Sequence, residues 1–201
     1  MKTNLVTVLL MASCVVALDL NPLNLAGDLT GDLAANAVDL LDAVKCLQTP
    51  RTYYGYYRSH LDDPVLVEDM CFMAKQLGPP ENGTVAFGGG YLRNGNVVKR
   101  PRVVTELCSI PGTNIINCLR MPIEDSPDSE FEQLNFLYFV CGNCVVIGTP
   151  QIADNACVLR VTDPNNVDPS CELAYDSLCG TEKFSIYDED ICRDVYLELQ
   201  E

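Results

Sequence analysis

TVAFGGGYLRNGNVVKRPRVVT, residues 84–105, reads as two β-strands folded back on each other. The strands are Thr84 to Leu92 and Asn96 to Thr105, and they flank Asn94-Gly95. Asn-Gly is the preferred type I′ hairpin pair, because both central residues of that turn need positive φ. Gly88-Gly89-Gly90 is not a phosphate cradle: a strand follows it, where a cradle needs a helix N-terminus. A run of glycines inside a strand instead permits a sharp bend at a barrel corner.

Outward from this hairpin the pattern stays β. Thr52 to Arg58 is dense in tyrosine, which suits a strand. Val65 to Ala74 follows the Asp62-Asp63-Pro64 turn. Ile115 to Met121, Phe131 to Cys141, Val145 to Gly148 and Cys157 to Thr162 complete a series of short strands. Their turn-separated rhythm indicates an all-β barrel or sandwich. A helix precedes the strands: Asp32 is its N-cap, Leu33, Ala37, Leu40, Leu41, Val44 and Leu47 form one apolar stripe, and Pro50 stops it. A second helix opens at Pro169 and runs through Leu173 and Leu178 to Gly180. Phe184 to Tyr187 reads as one last strand.

The N-terminus reads as a secretory leader. Lys2 supplies the charge, Leu5 to Ala12 the apolar run, and Val15 and Ala17 the small residues before cleavage. The run is too short to span a bilayer. The expected division is a signal peptide at 1–17 and one binding domain at 18–201. The whole chain has a formal charge of −15. Such a chain is repelled by nucleic acid and by anionic membranes. Ten of the eleven cysteines lie beyond residue 17. An even number of cysteines behind a leader implies disulfides and an extracellular location.

Motifs for catalysis are weak. A nucleophilic triad needs a base, and His60, the single histidine, stands beside a turn with no nucleophile motif near it. Cys141-Gly142-Asn143-Cys144 has redox spacing but lies in a β-rich stretch, so structural disulfides are the better reading. A single histidine also weighs against zinc. Glu124, Asp125, Asp128 and Glu130 lack the spacing of a calcium loop. No enzyme activity, cofactor or metal is expected. Asn82-Gly83-Thr84 is a glycosylation sequon on a loop.

The order helix, strands, helix, short strand is the layout of a lipocalin, an eight-stranded antiparallel up-and-down barrel holding one small ligand. Residues 141–193 make the resemblance specific. Cys144-Val145-Val146, Cys157-Val158-Leu159-Arg160-Val161, Asn166 to Gly180 and Phe184 to Asp188, closing on Cys192, resemble the tick salivary lipocalins, the histamine-binding protein family. Thr52 to Arg58 and Met70-Cys71-Phe72 are similar to its first two strands.

The resemblance implies two disulfides, Cys71–Cys192 and Cys144–Cys171. Ten cysteines allow roughly 945 pairings, and sequence alone does not choose among them. For the remaining six the expectation is Cys108–Cys118 across a Pro111-Gly112 turn, Cys46–Cys179 and Cys141–Cys157. The resemblance also implies a secreted, monomeric scavenger of a small ligand that blunts host inflammation or haemostasis. The alternative is an antagonist of a host complement or clotting protein that works through the barrel exterior.

For the ligand, Tyr54 and Tyr56 share one strand face with Arg58 beyond, and Phe136 and Tyr138 share another. If inward, these five residues line an aromatic pocket. Aromatic faces suit a protonated amine. Arg58 suits a fatty-acid carboxylate. The family's amine-binding members carry Cys-Asp-[Val/Ile] and later Glu-Leu-[Trp/Tyr]. Here Val145 replaces the Asp, Val158 the Glu and Arg160 the aromatic. Loss of two carboxylates removes the partners an ammonium needs in a dry site. The exchange suits a lipid, such as a leukotriene or fatty acid, better than histamine.

Overall fold

The computed structural model describes residues 43–61, 70–109, 114–122, 132–140, 142–150, 152–153 and 156–200. The leader, most of the first helix and the acidic loop lie outside these residues. Eight strands follow in chain order: β1 (Thr52–Arg58), β2 (Met70–Gln76), β3 (Thr84–Arg93), β4 (Asn96–Ser109), β5 (Ile116–Pro122), β6 (Glu132–Val140), β7 (Cys144–Gly148) and β8 (Cys157–Val161). Each pairs antiparallel with the next. β8 returns to β1, and β1 pairs with β2, Thr52 opposite Lys75, so the sheet closes into a barrel. The β3–β4 turn is the expected one: Asn94 and Gly95 have φ of 51° and 74°, and Arg93 pairs with Asn96.

Two sets of apolar residues fix which side of the sheet is inside. At one end, Ala43 and Leu47 of the short helix α1 (Ala43–Cys46) and its following turn pack on Tyr53, Val85, Leu119, Leu137 and Ile147. These strand residues point inward. Gln76 closes the same end by donating its amide to the carbonyls of Leu47 and Gly78.

Outside the barrel, α2 (Pro169–Cys179) covers β7 and β8. Tyr175 packs with Val146, Leu159 and Val161, and Cys144–Cys171 and Cys157–Cys179 bind the helix to the wall. Asp168 caps this helix, accepting the Ser170 N–H at 2.9 Å. That hydrogen bond, with a further one from Asn143, holds the Asp168 carboxyl below its ordinary range. β9 (Phe184–Ser185) then adds to β1. It leads into α3 (Glu189–Gln200), whose Cys192, Val195 and Tyr196 lie on Cys71 and Met73. The sequence reading stopped at Tyr187 and missed this helix. Its stripe, Cys192, Val195, Tyr196 and Leu199, has helical spacing, but the residues between are charged or exposed.

The structure contains Cys71–Cys192, Cys144–Cys171 and Cys108–Cys118, the last joining β4 to β5. It corrects the other two expected pairs. Cys157 and Cys179 are bonded to each other, which excludes both Cys46–Cys179 and Cys141–Cys157. Cys157 faces outward from β8 beneath α2, so Cys179, the last residue of that helix, reaches it; Cys46 belongs to the helix at the barrel end. Cys141 lies outside the described residues.

Candidate functional site in the barrel interior

Alternation along each strand assigns every side chain to one face. Opposite residues of an antiparallel pair share a face. On β8, Cys157, Leu159 and Val161 face outward against α2, so Val158 and Arg160 face inward. On β2, Cys71 and Met73 face outward against α3, so Phe72, Ala74 and Gln76 face inward. Gly55 lies opposite Arg160. The space its missing side chain leaves is taken by Ile186 and Phe72. The Arg160 guanidinium carbon sits 4.0 Å from the centre of the Phe72 ring, a cation–π contact.

The C-terminal strap completes this wall. β1 shifts register between Gly55 and Tyr57, and β2 between Met70 and Met73. The two strands part there, and the strap fills the gap. Ile186 donates its N–H to the Tyr56 carbonyl at 3.0 Å, and Cys71 donates to the Ile186 carbonyl at 2.8 Å. The Ile186 side chain is buried. A Cβ on Gly55 would lie 2.8 Å from Ile186 Cδ1 and 3.1 Å from Phe72 Cβ.

On the neighbouring wall Gly89 pairs with Arg100, so Arg100 also faces inward, and its Nη2 donates to the Tyr91 hydroxyl at 3.3 Å. Arg58, opposite Val158, faces inward as well. With Arg93, which lies over the Tyr91 ring at the end of β3, the inner face therefore carries four guanidinium groups among the described residues. No Asp or Glu occupies an inward strand position among the described residues. Arg160 Nε is buried with no hydrogen-bond partner among them. Burial pushes the Arg160 pKa down to about 10, which still leaves it charged at neutral pH. Asn135 is also inward and buried, donating to Met121 Sδ at 3.1 Å.

Of the residues expected to line the site, Arg58 is inward. Tyr54 is not: its ring lies 4.7 Å from that of Tyr196 on α3, outside the wall. Tyr56 also faces outward, its ring 5.9 Å from that of Tyr187 in the strap. Phe136 stands opposite Cys118 and Gly148, between inward Asn135 and Leu137, and faces outward. The Tyr138 side chain lies outside the described ones. The expected aromatic face is thus one residue out of phase. Among the described side chains, Tyr53, Phe72, Phe87 and Tyr91 are the inward aromatics. A period of two yields two faces without saying which is buried; here helices outside the barrel claim the second tyrosine set. Asn82 is exposed in the turn that bridges Glu81 and Thr84.

Among the described residues no group of three or more His, Cys, Asp or Glu side chains could hold a metal ion. No helix among them is long and apolar enough to cross a membrane.

Nineteen solved chains match this one in structure. Among them is Japanin from Rhipicephalus appendiculatus, solved bound to cholesterol. The likeness has a TM-score of 0.50 at 14% identity and covers 72% of this chain and 97% of that one. At this identity it speaks for the lipocalin-like fold alone. Comparison with curated proteins finds no match. The family model of the tick histamine-binding protein matches residues 34–193. This chain therefore belongs to the tick histamine-binding protein family.

Proposed function

We propose that this protein is a secreted lipocalin, released from its leader at residues 1–17, that sequesters a small amphiphile bearing an acidic group. A leukotriene or a fatty acid fits this description. One observation carries the reading: the interior guanidinium of Arg160 has no carboxylate partner among the described residues. A buried cation costs several kcal/mol unless something neutralises it. A ligand carboxylate beside Arg160 would supply that charge and form the stronger, charge-assisted kind of hydrogen bond. The apolar lining, with Phe72 and Tyr91, suits an acyl chain.

A protonated amine finds the opposite environment. Val145 and Val158 occupy the inward positions where amine binders of this family carry carboxylates, and Arg160 repels an ammonium. Sequestration of a lipid mediator would dampen host inflammatory or haemostatic defence without any catalytic step.

The test is titration calorimetry with leukotriene B4, arachidonic acid, cholesterol and histamine. Saturable binding of an acid, with little for histamine, is the expected result. Cholesterol serves as the neutral comparator, since the structural neighbour Japanin is bound to it. Tight histamine binding would overturn the reading. Failure of all four, with a stable complex recovered from host plasma, would move the function to the barrel exterior.

A further inference from the structure

Charge is distributed very unevenly along this chain. Residues 70–122, which form β2 to β5, carry six basic and two acidic residues. Residues 123–201 carry three basic and seventeen acidic ones. The basic set divides by face. Arg100 points inward and Arg93 lies over the Tyr91 ring at 4.9 Å. Arg120 pairs with Glu106 at 3.5 Å. Lys75, Lys99 and Arg102 remain, all exposed and all on the outer face. No ion pair joins these three to any described carboxylate. By contrast, on the acidic side of the molecule Lys183 pairs with Asp176 at 2.8 Å and Arg193 contacts Asp194 at 3.8 Å.

The three cations share one patch. Lys75 lies opposite Gly88 on the next strand. Phe87 pairs with Val103 and Gly89 with Arg100, so Pro101 and Arg102 bulge opposite Gly88. Two strand spacings separate Lys75 from Arg102, about 10 Å. Lys99 follows along the same strand, opposite Gly90. Gly88 forms the floor, and a Cβ there would lie 2.8 Å from the Pro101 carbonyl. The patch is therefore flat at Gly88, and at Gly90, opposite Lys99, Leu199 of α3 borders it. Only Leu77 and Val104, 45% and 42% exposed, add apolar surface near it. No outward position of β2, β3 or β4 holds an aromatic residue.

α3 covers the outer face of β2 to β4 at Cys71, Met73, Leu92 and Val97, and we propose that the part it leaves open, around Lys75, Gly88 and Arg102 with Lys99 at its border, binds a sulfated polysaccharide chain. Protein-binding surfaces concentrate their energy in buried aromatic and arginine anchors, and this face offers none of the aromatics. A polyanion needs only accessible cations on an unobstructed surface, because release of its condensed counterions supplies the binding energy. The proposal does not depend on the identity of the barrel ligand.

The test is heparin–agarose chromatography and heparin titration of the full chain at neutral pH. The wild type is expected to be retained at low salt despite its net charge. K75Q/R102Q is expected to lower affinity and reduce the slope of log affinity against log salt by about two, one per cation removed. K45Q/R193Q, with the same net charge, should leave both unchanged. Flow-through of the wild type at low salt would overturn the proposal. So would equal loss in both variants, which would mean that net charge alone matters. Binding to phosphatidylserine vesicles that heparin does not compete away would also overturn it, in favour of a membrane surface.

Discussion

The Arg160 guanidinium carbon lies 4.0 Å from the centre of the Phe72 ring, on the inner wall of the barrel. The two residues come from β8 and β2, strands that flank β1, where Gly55 lies opposite Arg160 and close to Phe72. The arrangement is a cation held by an aromatic face, with its Nε still unsatisfied among the described residues.

Replacing this charge separates ligand binding from folding. Arg160→Met retains the volume and removes the guanidinium. Affinity for an acidic amphiphile should fall at least about tenfold, equivalent to about 1.4 kcal/mol, measured by calorimetry. Folding should be little affected or improved, since an apolar group in place of a buried charge is often neutral or stabilising. A large loss of thermal stability with unchanged affinity would contradict the role assigned to Arg160.

Gly55→Ala tests the packing of the C-terminal strap and Phe72 against β1. The new methyl would press on Ile186 and Phe72, at 2.8 and 3.1 Å. Overpacking of this kind costs about 1–3 kcal/mol. The expected readout is a lower Tm than wild type, with the disulfides intact. An unchanged Tm would mean that the strap yields without cost.

The cysteine pairing is directly measurable. Non-reducing peptide mapping should yield a Cys157–Cys179 linked peptide and a separate Cys144–Cys171 one. Cys157→Ala/Cys179→Ala removes a loop of 22 residues, worth about 3 kcal/mol in the chain-entropy model. The variant should still fold, because Cys144–Cys171 continues to anchor α2. Recovery of a Cys46–Cys179 peptide from the native protein would contradict the assignment.

Asp168 gives α2 a pH dependence. Hydrogen bonds from Ser170 and Asn143 favour its ionised form in the folded state, so its folded pKa is below the unfolded one. Its stabilising contribution is therefore complete above the ordinary carboxylate range and lost as pH falls through the depressed value. Asp168→Ala should lower the Tm at neutral pH, and the gap should close in acid. A gap of constant size across that range would assign the effect to something other than ionisation.

Much of the fold was legible because its signals are local. Asn94-Gly95 sets a turn from the φ preference of two residues, and Pro169 starts a helix from a fixed φ. The order of strands followed from turn residues between apolar runs. Cys71–Cys192 and Cys144–Cys171 were legible only through family resemblance, since spacing leaves the pairing open. Cys157–Cys179 was not read at all: it requires knowing that α2 lies across β8.

The sequence by itself determined the alternating strands, the hairpin, the overall charge and the cysteine-rich frame, because each depends on neighbours along the chain. Only the tertiary structure decided which face of each strand became the interior. That choice turned Tyr54 and Tyr56 outward beneath α3 and the strap, and it turned Arg58, Arg100 and Arg160 inward. Its physical reason is competition between surfaces: both faces of β1 carry aromatics, and helices more than 100 residues away in sequence cover one of them. A period of two carries no information about a partner that distant.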